Sequence, residues 1–297
     1  MRLVTFVPKK GAAPRVGVLH GGNHLLDLAE AKKPPFDPHD MVTLIAAGAK
    51  ALAWVRKVAA QAKNPLPLGK VKLMAPIPRP RKNVFCVGWN YVEHFEESKV
   101  SQLHSVEFPA HPTFFTKAPT TVVGPYDTVP AHAGVTQQLD WEVELGVIIG
   151  RRGIHLQEAD ALKYVFGYTV INDVSAREVQ RRHGAQLFKG KSLDGTCPMG
   201  PWIVTKDEIP SPHGLRLTSR VNRIAKQDSN TTFMYFKVPR LIAELSAGTT
   251  LEPGDIISTG TPAGVGHARQ PPEFMKAGDV LESEIESIGL LRNPIGK

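Results

Sequence analysis

Cysteine is nearly absent, with Cys86 and Cys197 the two in 297 residues. So distant a pair gives neither a disulfide framework nor a cysteine zinc site, and both are expected as buried small apolar residues. Long apolar runs are missing as well. No stretch reaches the roughly 18 consecutive apolar residues that a spanning helix needs, so a membrane partner is not expected. The opening Met1-Arg-Leu-Val-Thr-Phe-Val-Pro-Lys-Lys10 has a strand and turn pattern without the apolar centre of a signal peptide, which makes the cytoplasm the expected location. No repeat or low-complexity segment is present. The formal net charge is +8, yet the basic residues come in small groups, Arg79/Arg81/Lys82, Arg151/Arg152, Arg181/Arg182 and Lys189/Lys191. Without a long basic run or a recognition motif, nucleic acid is not the expected partner; an anionic small molecule suits the sign of the charge.

The length suits one large domain or one large and one small. A short strand at Arg15-Val-Gly-Val-Leu19 and an amphipathic helix from near Asp40 through Val58 are followed by Asn64-Pro-Leu-Pro-Leu-Gly69 and Pro76-Ile-Pro-Arg-Pro80, which hold five prolines. Proline fixes its own backbone and biases the preceding residue toward extended geometry, so a small N-terminal α/β domain with linker is expected over residues 1–75 and a larger domain over 76–297. In the larger part strands are expected at Asn83–Gly88, Pro112–Lys117, Glu142–Gly150, Tyr164–Val174, Trp202–Thr205, Leu215–Val221, Asp255–Ser258 and Val280–Ile285. Helices are few, chiefly Leu156–Leu162 and Pro239–Ala247, the latter opened by proline and closed by Gly248. The fold class is α+β and β-rich.

The run Leu139-Asp-Trp-Glu-Val-Glu-Leu-Gly-Val-Ile-Ile-Gly150 carries two carboxylates, Glu142 and Glu144, in an otherwise apolar strand. Side chains in a strand alternate with period two, so both face one side and can grip one cation. Asp173, near the end of the β-branched run Tyr168–Ser175, can join them if the runs share a sheet. Three carboxylates form an all-oxygen set that suits Mg²⁺, Mn²⁺ or Ca²⁺. Such a set with a divalent cation keeps one negative charge, which the nearby ammonium of Lys191 would neutralise.

Asn90-Tyr-Val-Glu93 has capping-box spacing, so a helix is expected to begin there with Asn90 as its cap. That helix puts His94 and Glu97 on one face, a histidine oriented by a carboxylate as in a general base; a surface ion pair is the ordinary alternative. Zinc fits less well because no His-Glu-x-x-His is present. Gly190-Lys-Ser192 resembles the end of a phosphate loop, but its spacing from Gly184 is one residue too long, and Leu-Asp-Gly-Thr-Cys-Pro cannot continue as the required helix, which excludes a nucleotide triphosphatase. Gly260-Thr-Pro-Ala-Gly264 either lets backbone approach a ligand or makes a tight turn.

Taken in order, Gly88-Trp-Asn-Tyr-Val-Glu-His-Phe-Glu-Glu97, Phe114-Phe-Thr-Lys117, Asp140-Trp-Glu-Val-Glu-Leu-Gly146, Gly167–Arg177, Gly190-Lys-Ser-Leu-Asp194 and Gly260-Thr-Pro-Ala-Gly264 resemble the fumarylacetoacetate hydrolase family over residues 83 to about 293. The resemblance implies a mixed β-sandwich roll and a homodimer. It implies Glu142, Glu144 and Asp173 as metal ligands, His94 and Glu97 as a catalytic dyad on a closing segment, Lys191 as a catalytic cation, and Arg177, Gln180, Gly260 and Thr261 at the substrate. Two departures stand out. Val87 occupies a position where some relatives carry a further aspartate, and Trp89 one where some carry arginine.

The activity expected on this basis is divalent-metal-dependent hydrolysis of a carbon–carbon bond in a 2,4-dioxo acid of the acylpyruvate, fumarylpyruvate or fumarylacetoacetate type. The alternatives are a decarboxylase or tautomerase of 2-oxo diacids, which passes through the same enolate, and a metal-dependent binding protein without turnover. The segment Ser98–Pro112 is expected to be mobile without ligand and ordered with it.

Overall fold

The computed structural model describes residues 1–62, 64–99, 107–184 and 186–297. The expected closing segment Ser98–Pro112 lies partly outside these described residues. A mixed sheet, 12-stranded among the described residues, forms the backbone of the molecule. Ten of its strands run in order from Leu66–Pro67 through His24–Asp27, Arg15–His20, Arg2–Val7, Cys197–Thr205, Val165–Asn172, Val143–Ile149, Ile256–Ser258 and Val84–Gly88 to Thr113–Lys117, while Lys72–Leu73 pairs with Arg2–Val7 and Val122–Val123 with Cys197–Thr205. Most neighbours are antiparallel; Ile256–Ser258 runs parallel to Val84–Gly88. A second, five-stranded sheet comprises Ile224–Asn230, Arg216–Val221, Val280–Ile285, Gly289–Gly296 and Val129–Pro130. The β-rich α+β class expected from the sequence is the class observed.

The two central strands, Val143–Ile149 and Val165–Asn172, are buried along their whole length. Both faces are covered, which is why these strands read as nearly unbroken apolar runs. Leu145, Val147 and Val170 join a core with Leu217, Leu241 and Leu291 on one side. Ile148 and Ile171 join a core with Leu3, Val16, Leu44 and Ile45 on the other. The N-terminal strands continue the same sheet, with Arg2 opposite Val204 and Leu3 opposite Ile203. Residues on both sides of the boundary expected near residue 75 therefore share one sheet and one core.

Five helices decorate the sheets among the described residues: α1 (Met41–Ala60), α2 (Val92–Lys99), α3 (Arg177–Arg182), α4 (Leu187–Lys191) and α5 (Val238–Ser246). Asp40 caps α1 by accepting from the Val42 N–H at 2.8 Å. The helix expected at Leu156–Leu162 is instead a 3₁₀ segment, Glu158–Tyr164. Sequence periodicity also missed Ile224–Asn230, whose mostly polar residues, with Gln227 alone buried, carry little apolar signal.

The expected cap at Asn90 is corrected. Its side chain is fully buried and does not close the helix start; Nδ2 donates to Phe236 O at 3.0 Å and Thr259 O at 2.8 Å, and Oδ1 accepts from Phe236 N at 2.7 Å. Asn90 thus pins the approach to α2 against two other segments, and α2 carries the candidate dyad. Asn90→Ala strands one buried donor and two acceptors, each worth ~1 to 3 kcal/mol when left unpaired. Urea unfolding should show a loss of several kcal/mol, and a loss below ~1 kcal/mol would contradict this anchoring role.

Candidate metal centre and active site

Strand register brings the acids together. Val143 stands opposite Asn172 in the antiparallel ladder, so Glu142 and Asp173 form the next pair, with Asp173 N donating to Glu142 O at 2.8 Å. The Glu142 N–H is held by Asn172 Oδ1 at 3.0 Å. Glu144 follows two positions later, and the ligand oxygens of Glu142, Glu144 and Asp173 all lie within 4.8 Å of one another, buried. Asp173 Oδ1 is buried without a hydrogen bond, although Lys117 Nζ stands 2.8 Å away as a charge partner. A buried carboxylate oxygen held only by a charge contact, beside two more converging acids, fits a hard divalent cation with oxygen ligands.

Three cations face these acids. Lys191 Nζ donates to Glu142 Oε2 at 2.6 Å and to Asp173 Oδ2 at 2.8 Å. Arg177 donates through Nη2 to Glu142 Oε1 at 2.6 Å and through Nε to Asp140 Oδ2 at 2.8 Å. Lys117, with no exposed surface, completes the set. Gly190 explains how Lys191 reaches in: a Cβ there would stand 2.4 Å from Gln180 Cγ and 2.7 Å from Gln180 N. The Gly-Lys pair that resembles a phosphate loop is a close crossing of α4 over α3, and α4 ends at Lys191.

Burial and charge then divide the carboxyls. Burial works to raise Glu142, but Lys191 and Arg177 more than offset it and hold the group at about 2. For Glu144, burial acts first and the negative charges of Asp173 and Glu142 add to it, pushing the carboxyl up to about 8. Ser258 Oγ and Gly260 N donate to its Oε2 at 2.6 and 2.9 Å. With Asp140, Glu142, Glu144 and Asp173 against Lys117, Arg177 and Lys191, the cluster has one carboxylate too many for neutrality. Protonating Glu144 removes the excess; ionising it beside a divalent cation leaves a net positive charge, which suits an anionic ligand.

His94 and Glu97 stand as a hydrogen-bonded pair. His94 Nδ1 lies 2.8 Å from Glu97 Oε1, and Gly264 N donates to Glu97 Oε2 at 2.8 Å, so the turn after Ile256–Ser258 fixes the carboxylate that orients the ring. Gly260 serves differently from expectation. Its N–H is committed to Glu144, and with φ of +93° and a Cβ position 2.7 Å from Asn90 Cβ it holds a tight crossing. Thr261 donates to Val143 O at 3.0 Å and accepts from Gln227 Nε2 at 2.7 Å.

A cavity of about 700 Å³ opens on these groups, lined by His94, Glu142, Glu144, Arg177, Gln180, Lys191 and Thr261. Val87 and Trp89, the two departures, also line it and give it apolar surface there. Lys117, Asp140 and His267 were not singled out from sequence. The signal for Lys117 was a lysine closing the strand Thr113-Phe-Phe-Thr-Lys117, and for Asp140 a third acid in the run that supplied Glu142 and Glu144.

Comparison with known proteins fits this geometry. The family model for the fumarylacetoacetate (FAA) hydrolase C-terminal domain matches residues 83–296. The chain belongs to this family. It is 44% identical to the oxaloacetate tautomerase YisK of Bacillus subtilis, over 95% of this chain and 96% of that protein, and 42% identical to the human mitochondrial oxaloacetate tautomerase FAHD2A, over 99% and 91%. Among solved structures, a fumarylacetoacetate hydrolase from Exiguobacterium antarcticum superposes with a TM-score of 0.85 at 40% identity, covering 100% of this chain and 99% of that one. The maleylpyruvate hydrolase of Sphingobium sp. SYK-6, solved with manganese(II) and pyruvate, gives 0.80 at 29% identity over 100% and 99%.

The expectation of carbon–carbon bond hydrolysis is overturned by these relatives. Curated family members at 42% and 44% identity carry a tautomerase activity, an isomerisation that consumes no water. The motifs that suggested a hydrolase serve enolate chemistry in general, and nothing in their spacing distinguishes attack by water from movement of a proton. No helix among the described residues is long and apolar enough to cross a membrane.

Two predictions follow from the charge cluster. Because the Glu144 carboxyl stands at about 8, a cation that needs it ionised must expel a proton below that pH. The apparent Mn²⁺ affinity should rise about tenfold per pH unit up to that point and then level off. Calorimetry in buffers of different ionisation enthalpy should detect close to one proton released at neutral pH, and a pH-independent affinity would contradict the assignment. Lys117→Met leaves a buried Asp173 short of a partner, so unfolding should require ~3 to 5 kcal/mol less; a denaturation midpoint like that of the parent would show that Lys117 carries no such load.

Proposed function

We propose that this protein is a divalent-metal-dependent tautomerase of oxaloacetate, interconverting the enol and keto forms of a short 2-oxo dicarboxylic acid. The observation that carries the proposal is the opening of a three-carboxylate centre and a histidine–carboxylate dyad onto one cavity, in a chain so similar to YisK. Mg²⁺ or Mn²⁺, held by Glu142, Glu144 and Asp173, would supply Lewis acidity toward the 2-oxo acid end of the substrate.

The chain's own groups do the rest. Lys191 bridges Glu142 and Asp173, keeping their oxygens converged, and its positive charge favours the enolate over the neutral forms. Glu97 accepts from His94 Nδ1, which leaves Nε2 as the basic nitrogen of the ring. That nitrogen removes a proton from C3 of the keto form or returns one to the enolate. Gln180, Thr261 and Arg177 border the same space and orient the acid. Trp89, Phe114 and Phe115 line it too, and apolar walls that keep water from the enolate suit a reaction in which water takes no part.

The test is the decay of freshly dissolved enol oxaloacetate, followed by its ultraviolet absorbance. Metal-loaded protein should accelerate it without producing pyruvate and CO₂ in step. His94→Ala should lower kcat by ~10² to 10⁴, the usual contribution of a positioned acid–base group, with Mn²⁺ affinity retained. Enol decay at the uncatalysed rate, or decay matched by CO₂ release, would contradict the proposal.

A further inference from the structure

The cavity holds a second histidine–carboxylate pair that the mechanism above does not use. His267 lines the cavity, is 8% exposed, and its Nε2 is buried without a hydrogen-bond partner. Its Nδ1 lies 3.1 Å from Asp140 Oδ2. That carboxylate is secured from several sides: Gly266 N donates to Oδ1 at 2.6 Å, Trp141 N to Oδ1 at 2.8 Å, His267 N to Oδ2 at 3.0 Å and Arg177 Nε to Oδ2 at 2.8 Å. An ionised carboxylate only accepts, so Nδ1 carries the proton in this contact, and Nε2 of the neutral ring is left as a bare acceptor. A buried acceptor with no donor is costly, which makes it unusual unless a ligand supplies the donor.

We propose that His267, oriented by Asp140, is a second proton-handling residue, and that His94 and His267 serve the two ends of the 1,3-proton shift in the tautomerisation. This inference rests on the tautomerase assignment and deepens it. In the direction enol to keto, the enol O–H bond breaks and its proton passes to Nε2 of one neutral imidazole. The electron pair on oxygen forms the C2=O bond, and the C2=C3 pair takes the proton carried by the other imidazolium to form the new C3–H bond. One ring gains a proton and the other loses one, and exchange with solvent resets them. Burial, followed by the Arg177 charge, holds His267 below the ordinary histidine value, so the ring is neutral and able to accept at physiological pH. The charged and titratable groups facing it are Asp140, Arg177 and, more remotely, His94.

His267→Asn is the informative variant, because its amide can still donate toward Asp140 while nothing replaces Nε2, and Asp140 keeps its other donors. In the metal-loaded enzyme acting on oxaloacetate, kcat should fall by ~10² to 10⁴, with KM, Mn²⁺ affinity and melting temperature close to those of the parent. The parent's kcat should fall on the acid side as His267 takes up a proton, and His267→Asn should lose that limb. A variant that keeps the parental kcat, or the acid limb, overturns the inference. So does a fall in kcat that is matched by loss of Mn²⁺ affinity or thermal stability, which would mark His267 as structural. A parent protein inactive on oxaloacetate overturns the tautomerase assignment and this inference together, whereas an active parent with an indifferent variant overturns the inference alone.

Discussion

Everything at the functional centre depends on holding charge away from bulk solvent. Asp140, Glu142, Glu144 and Asp173 lie at 0 to 4% exposure beside Lys117, Lys191 and Arg177 at 0 to 5%. Removing one such ion from water costs several kcal/mol after relaxation, and the cost is recovered only where partners sit at short, well-directed contact. The sheet provides that precision. Glu144 sits in one of two adjacent antiparallel strands, Glu142 and Asp173 flank the paired ends of both, and Lys117 closes an edge strand of the same sheet. Lys191 enters from a helix that can approach only because Gly190 has no side chain. A charge cluster assembled on rigid elements resists collapse when a cation or substrate arrives, which is what a preorganised centre requires.

The cluster also explains why a single cavity can serve several reactions in this family. A 2-oxo acid whose enolate is stabilised can be protonated, can lose CO₂ or can be released by attack of water elsewhere in the molecule. In this chain Val87 and Trp89 contribute apolar surface to the cavity wall, and two histidine–carboxylate pairs place His94 and His267 on it. Such a wall is suited to moving protons more than to delivering a water molecule.

Much of this was legible in the sequence, for physical reasons. The period of two placed Glu142 and Glu144 on one face, and a second β-branched run ending near Asp173 supplied the third acid. The i, i+3 spacing of His94 and Glu97 on α2 gave the dyad. Local spacing carries no information about contacts between distant segments, and the rest was hidden there. Asn90 had the pattern of a helix cap but is spent on Phe236 and Thr259, because a buried amide with three partners is worth more than an exposed cap. Gly260 had the pattern of a ligand loop but holds Glu144. Asp140 and His267 are separated by more than a hundred residues, so no window of sequence could pair them. The N-terminal segment looked separable because prolines follow it, yet its strand pairs with Cys197–Thr205.

On the proposed function, the centre makes and protonates an enolate from a 2-oxo acid under the control of a bound cation. Pyruvate tests this most directly, because it has no bond for the protein to hydrolyse and no second carboxyl to lose. Exchange of its methyl protons in D₂O can be followed by NMR. Exchange should run well above the buffer rate when Mg²⁺ or Mn²⁺ is present, cease when the metal is stripped and return when the metal is restored. Exchange at the buffer rate with the cation demonstrably bound would contradict the proposal.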